Sequence, residues 1–173
     1  LEHLKSKRHP KIPLPLHLYR DRQNSSSPDL TDDEDVRSLL SSLDQYQTKK
    51  WSLSHKLNGE KNNIINPAQP DHIVGDICFA DEKDVENAIT LAQQAFSEWN
   101  NTQAQSRSDL LQKLADEIEG HRDELLALCV YEAGKTIEDA ISEIREAVDF
   151  CRYYAARGEQ SFSNAVQLPG PTG

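Results

Sequence analysis

The sequence predicts a mainly α chain with a small antiparallel β-hairpin region, an α+β arrangement, and three observations carry that prediction. Apolar residues recur at helical spacing through four or five stretches between Thr31 and Arg157. Trp51 to Ala80 breaks that period with turn dipeptides and short β-branched runs. The last helical stretch, from Ile137 to about Arg157, is apolar on two sides.

That last stretch organises the chain. Ile137, Ile141, Ile144, Val148, Cys151 and Ala155 fall within one narrow stripe of a helical wheel, which demands burial. On the opposite side lie Phe150, Tyr153 and Tyr154, with Glu146 beside them, so solvating this face leaves three large rings in water. Such a helix needs two partners. The chain before it supplies one, whereas only a Ser/Asn/Pro/Gly tail follows, so the expectation is a piece of a larger protein.

Taken in order, residues 1–30 read as an extended connector. Pro10, Pro13 and Pro15 and the Ser25-Ser26-Ser27-Pro28 run lock or discourage helical backbone. Pro10-x-x-Pro13 also fits the PxxP form of an adaptor ligand, and Lys5, Lys7 and Arg8 form a basic cluster, but both read more simply as solvated connector. Thr31-Asp32-Asp33-Glu34 has the form of a capping box, which starts a connector helix over 31–50 with Val36, Leu39, Leu40, Leu43 and Tyr46 on its docking face.

The β region follows. Asn58-Gly59 is a turn dipeptide, Ile64-Ile65 a short apolar run, Asn66-Pro67 a break and Ile73 to Phe79 a strand in which Gly75 marks a bulge. Asp81 to Trp99 is then a helix whose Val85, Ala88, Ile89, Ala92, Phe96 and Trp99 predict a packing face. Thr102 to Gln105 offers a second capping box. It precedes a stripe of Leu110, Leu111, Leu114, Ala115 and Ile118 that Gly120 ends. A further helix from about Arg122 is lined by Leu125, Leu128 and Cys129, and Gly134 is placed to end it in the left-handed conformation.

Composition narrows the function. The apolar share is 36%, below the usual ~45–50%, and the formal net charge is −10, so no nucleic-acid role is expected for this segment. No run approaches the roughly 20 apolar residues of a membrane span, and the Pro-containing start is no signal peptide, so no transmembrane segment is expected. Cys78, Cys129 and Cys151 form neither a CxxC pair nor a disulfide framework, which fits a reducing cytoplasm and buried packing roles. The six histidines lack ligand spacing, so no metal site is expected. Gly134-Lys135-Thr136 lacks the preceding glycine of a phosphate loop and reads as a helix-end turn. The acidic runs Asp116–Glu119 and Glu138–Glu146 read as solvated faces, Glu146 excepted. From the residues alone, no catalytic or cofactor-binding group is expected within the chain.

The runs EAGKTIEDAISEIREAVDFCRYYAARG, IINPAQPDHIVGDICFADEKDVENAITLAQQAFSEWN and SRSDLLQKLADEIEGHRDELLALCVYEAGKT together resemble the N-terminal portion of an aldehyde dehydrogenase. EIREAVDFCRYYA resembles the subgroup that oxidises L-glutamate γ-semialdehyde, the 1-pyrroline-5-carboxylate dehydrogenases. HPKIPLPLHLYRDRQNSSSPDL resembles the connector that, in bifunctional proline-utilization proteins, follows an FAD-dependent proline dehydrogenase.

The resemblance implies that residues 51–173 are an incomplete aldehyde dehydrogenase-like domain of an α/β parent. It implies NAD as the parent's cofactor, FAD in the proline dehydrogenase half, and the remainder of the dehydrogenase domain as partner. It also implies a bacterial cytoplasmic setting, with any membrane association carried by other parts of the parent, and leaves homo-oligomerisation open. The family's nucleophilic cysteine, its water-activating glutamate and its nucleotide-binding strands fall downstream of Gly173, so the fragment alone is expected to be inactive. The family's matching helix lines the aldehyde entry tunnel, which implies that Glu146 and Phe150 are substrate-tunnel residues. The competing reading is a self-sufficient helical adaptor that binds another protein without catalysis.

Overall fold

In the computed structural model, which describes residues 9–53 and 57–171, five α-helices and a three-stranded sheet form among the described residues. The basic cluster at Lys5, Lys7 and Arg8 lies outside them. A 3₁₀ turn, Pro15–His17, interrupts the extended connector. Pro15 has no N–H to lose at the first turn, which is where proline fits a helical start.

α1 runs Asp33–Asp44. Its N-cap is Asp32, whose Oδ1 accepts from Glu34 N at 2.8 Å, one residue later than the expected box. Thr31 is turned back toward Asp29 instead, its hydroxyl and its N–H both donating to Asp29 Oδ1. Leu39 and Leu43 are buried against α4, Arg122–Tyr131, and α5, Ile137–Phe162, whereas Leu40 faces outward.

β2, Lys61–Asn66, and β3, Gln69–Cys78, form the expected antiparallel hairpin. Its turn falls at the expected Asn66-Pro67 break, where Asn66 Oδ1 accepts from Ala68 N. Asn58, in a separate bend before β2, is held by Asp84 through both its N–H and its side-chain amide. β1, Trp51–Ser52, adds a parallel edge to β3, so the sheet is mixed in the order β1-β3-β2. Gly75 permits this pairing, since a Cβ there would lie 2.1 Å from Trp51 O. Val74 bulges next to it, where the register steps from Ile64↔Gly75 to Ile65↔Ile73.

α2, Glu82–Asn101, starts on a full capping box in which Asp81 and Asp84 each accept the other's backbone N–H. Its expected packing face stays largely uncovered among the described residues. No residue of α2 is buried, and Val85, Ile89, Phe96 and Trp99 are all at least half exposed. Periodicity identified the stripe, but an amphipathic stripe does not supply its own opposing surface.

α3, Ala104–Gly120, lacks the second capping box: its N-cap is Gln103, and the Thr102 side chain lies against the end of α2, where Oγ1 donates to Glu98 O. Only Ser108 and Ala115 of α3 are buried, while Leu110 and Leu114 are exposed. Gly120 stays helical, and His121 caps α3 while preceding α4. α4 buries Leu126 and Ala127, with Leu125 and Cys129 partly buried beside them. The three cysteines are half-buried free thiols rather than fully buried ones. The core therefore joins α1, α4 and α5, while the most extensive helix–helix contact sets α3 along α5. No helix among the described residues is long and apolar enough to cross a membrane.

Candidate functional site

The candidate site is the outward face of α5, and the turn before that helix sets its direction. Gly134 has φ of +65°, the left-handed region that glycine enters without penalty, and it faces Pro67 of the hairpin turn. Lys135 Nζ is paired with Glu143 at 2.8 Å, and Thr136 Oγ1 caps the helix by accepting from Asp139 N. This Gly-Lys-Thr segment is thus a helix-end turn with its lysine committed to a carboxylate.

Ile141, Ile144, Val148 and Ala155 are buried as their spacing requires. A helix with that stripe inward must turn the positions half a revolution away outward. Phe150, Tyr153 and Tyr154 are accordingly exposed, at 50%, 38% and 58%. Their rings still touch: Phe150 and Tyr154 centroids lie 5.9 Å apart, and Tyr153 and Tyr154 centroids 5.2 Å apart, edge to face. Glu146, one turn before Phe150, is exposed and makes no hydrogen bond or ion pair among the described residues. Both expected tunnel residues therefore share one face, where a free carboxylate stands beside an apolar platform.

The connector borders this face, which its sequence did not signal. Tyr19, Arg22 and Asn24 line a groove of about 270 Å³ together with Asp149, Phe150 and Tyr153. The Arg22 guanidinium lies 3.7 Å from the Tyr19 ring centroid and 5.1 Å from that of Tyr153, so it bridges connector and helix through aromatic faces. Arg157 approaches the Tyr153 ring at 5.6 Å and also binds Asp21 Oδ2 at 2.9 Å. Arg152, between Val148 and Ala155 in the buried stripe, was likewise missed. An arginine at an apolar wheel position was the available signal.

Groups with displaced ionisation are structural here. Burial raises the Cys129 thiol, with Glu143 adding to it, which leaves no activated thiolate at that position. Glu124 is lowered by hydrogen bonds from Lys49 and Trp51, which tie the segment after α1 to α4. Among the described residues no group of three or more His, Cys, Asp or Glu could hold a metal ion.

Comparison with known proteins supplies relatives. Residues 54–171 match the aldehyde dehydrogenase family. The chain is 41% identical over 170 residues to the bifunctional protein PutA of Salmonella typhimurium, covering 94% of this chain and 13% of that protein. Among solved structures, proline utilization A from Bdellovibrio bacteriovorus superposes with a TM-score of 0.75 at 32% identity, over 86% of this chain and 16% of that one. A 1-pyrroline-5-carboxylate dehydrogenase from Thermus with bound NAD gives a TM-score of 0.74 at 27% identity, over 86% of this chain and 30% of that one. The chain thus spans a small part of the length of each relative.

Proposed function

The chain belongs to the aldehyde dehydrogenase family, and from that premise we propose that it is the N-terminal portion of an NAD-dependent L-glutamate γ-semialdehyde dehydrogenase, joined through its connector to a proline dehydrogenase. In this reading residues 1–30 and 31–50 are the connector and its helix, and residues 51–173 begin the dehydrogenase domain. NAD, the nucleophilic cysteine and the water-activating glutamate belong to the rest of the parent, and FAD to its proline dehydrogenase half. This chain contributes packing surface for that remainder, principally the exposed stripe of α2, and one wall of the aldehyde's path.

The observation that carries the reading is the face of α5. Glu146 offers an uncommitted carboxylate one turn from Phe150, beside Tyr153 and Tyr154. L-Glutamate γ-semialdehyde has an ammonium group at the end remote from its reacting carbonyl and a short methylene chain between. A carboxylate attracts the first, and ring faces shelter the second. A simple aldehyde has no group for Glu146 to recognise.

The test is steady-state NAD reduction by the intact parent, comparing L-glutamate γ-semialdehyde with propanal. The expected kcat/KM ratio favours the amino acid semialdehyde by at least about tenfold, equivalent to about 1.4 kcal/mol of differential binding. Equal or better use of propanal overturns the substrate assignment. A parent that reduces no NAD with either aldehyde favours the adaptor reading, in which the exposed α2 stripe binds a separate protein.

A further inference from the structure

We infer that Arg152 is a positioning residue that locks residues 21–26 of the connector onto α5, making the connector part of the wall that α5 carries. The functional half of this inference rests on the substrate-wall reading above.

Arg152 is only 7% exposed. A buried guanidinium is tolerated only when its donors are matched, and here the acceptors come from two other segments. Nη2 donates to Glu119 Oε2 at 2.7 Å and to Asp116 Oδ1 at 3.1 Å, both on α3. Nη1 donates to the backbone carbonyl of Asn24 at 3.3 Å. Glu119 relays the hold, since its other oxygen accepts from Ser26 N at 2.9 Å.

The neighbouring turn of α5 repeats the pattern. Asp149 Oδ1 accepts from Ser25 N at 2.6 Å, Asp149 Oδ2 accepts from Ser25 Oγ at 3.1 Å, and Arg145 Nε donates to the same hydroxyl at 3.4 Å. Ser25 is buried as a result. Burial opposes the charge on both Arg152 and Glu119. Burial is the largest single influence on each, but the hydrogen bonds and charge attraction among Arg152, Glu119, Asp116 and Ser26 together outweigh it, raising the arginine and lowering the carboxyl.

Packing alone does not require this cluster, because Val148 and Ala155 in the same stripe are already fully buried. What the cluster adds is register. Three of its bonds end on connector backbone groups, Asn24 O, Ser25 N and Ser26 N, so the charges are satisfied only when the connector lies at one position along α5. That position sets Tyr19 and Arg22 against Phe150 and Tyr153. Arg152 itself, facing inward, touches none of the exposed face and acts through the connector.

The test uses the intact parent with Arg152→Met, Arg152→Lys and, should Arg152→Met fail to fold, Glu119→Gln, which keeps side-chain size and weakens one arm. Hydrogen exchange of peptides spanning residues 21–28 is expected to quicken about tenfold or more in Arg152→Met, the factor that follows from losing charged hydrogen bonds. Exchange around Val148 should stay slow. Arg152→Lys should rescue only partly, because one ammonium cannot serve both carboxylates and the carbonyl. KM for L-glutamate γ-semialdehyde should rise severalfold with kcat and the KM for NAD little changed.

Unchanged exchange over residues 21–28 in Arg152→Met or Glu119→Gln overturns the lock. Faster exchange with unchanged semialdehyde KM overturns the positioning role. Glu146→Ala, measured alongside, separates the two readings. If it raises KM while Arg152→Met does not, the wall stands without the connector's contribution; if neither does, the wall itself has failed.

Discussion

Replacing Glu146 with alanine in the intact parent isolates recognition from folding, because the structure indicates almost no folding cost. The Glu146 side chain is exposed and has no hydrogen-bond or ion-pair partner among the described residues. Its helical neighbours at three residues' distance, Glu143 and Asp149, carry the same charge, and alanine is the better helix former. The stability change should therefore be neutral or favourable by a few tenths of a kcal/mol. The functional change should be larger. A partly solvated, charge-assisted contact to the substrate ammonium contributes about 1–2 kcal/mol, roughly 5- to 30-fold in kcat/KM. The contact lies away from the reacting carbon and serves substrate and transition state alike, so the loss should appear mainly in KM. Steady-state kinetics with L-glutamate γ-semialdehyde and with propanal give the readout, and propanal should be oxidised almost as before. Unchanged kinetics toward both aldehydes, or equal losses on both, would refute the reasoning.

Three further outcomes follow from packing and charge. Leu126→Ala removes a side chain that is 1% exposed at the junction of α1, α4 and α5. It should cost about 3–5 kcal/mol in a urea melt, whereas Leu110→Ala, at 54% exposure, should cost well under about 1 kcal/mol. The isolated chain, with Phe96, Trp99, Phe150 and Tyr154 all at least half exposed, should be marginally stable or self-associate in sedimentation velocity, and a sharp, concentration-independent monomeric melt at high temperature would count against missing partners. Acid should loosen the connector. The Glu119 carboxyl lies below its ordinary value of 4.5 despite burial, through Arg152 and Ser26, so its stabilising contribution is fully present above about pH 4.5 and is lost as pH falls through the lowered value. Exchange over residues 21–28 that is already fast at neutral pH would contradict this.

How far the sequence was readable depended on whether a residue's role was local. Ile141, Ile144, Val148 and Ala155 announced the inner face of α5 by period, and Gly134 announced the left-handed turn that ends the preceding helix, because each acts within one or two turns. Thr31 and Thr102 misled for the opposite reason. Both fit capping boxes, but each side chain is turned away from its expected helix, its hydroxyl donating to Asp29 Oδ1 or Glu98 O. α4 is apolar nearly all round, so no face distinguished buried Leu126 from its neighbours. The two-residue β1 has no period to detect, and its parallel pairing depends on Gly75 accepting a backbone from elsewhere in the chain. The α5 site divides in the same way. The Glu146–Phe150 face follows from the helix alone, whereas the connector's approach through Arg22, Ser25 and Arg152 depends on contacts across more than a hundred residues.

In the proposed assignment this chain is part of a glutamate semialdehyde dehydrogenase whose chemistry lies in the rest of the parent. The decisive comparison is NAD reduction with L-glutamate γ-semialdehyde, measured side by side for the intact parent and for the isolated chain. Turnover by the parent and none by the chain is expected, with no micromolar NAD binding to the chain in parallel calorimetry. A parent that leaves NAD oxidised in the presence of this aldehyde, or an isolated chain that reduces it, would overturn the assignment.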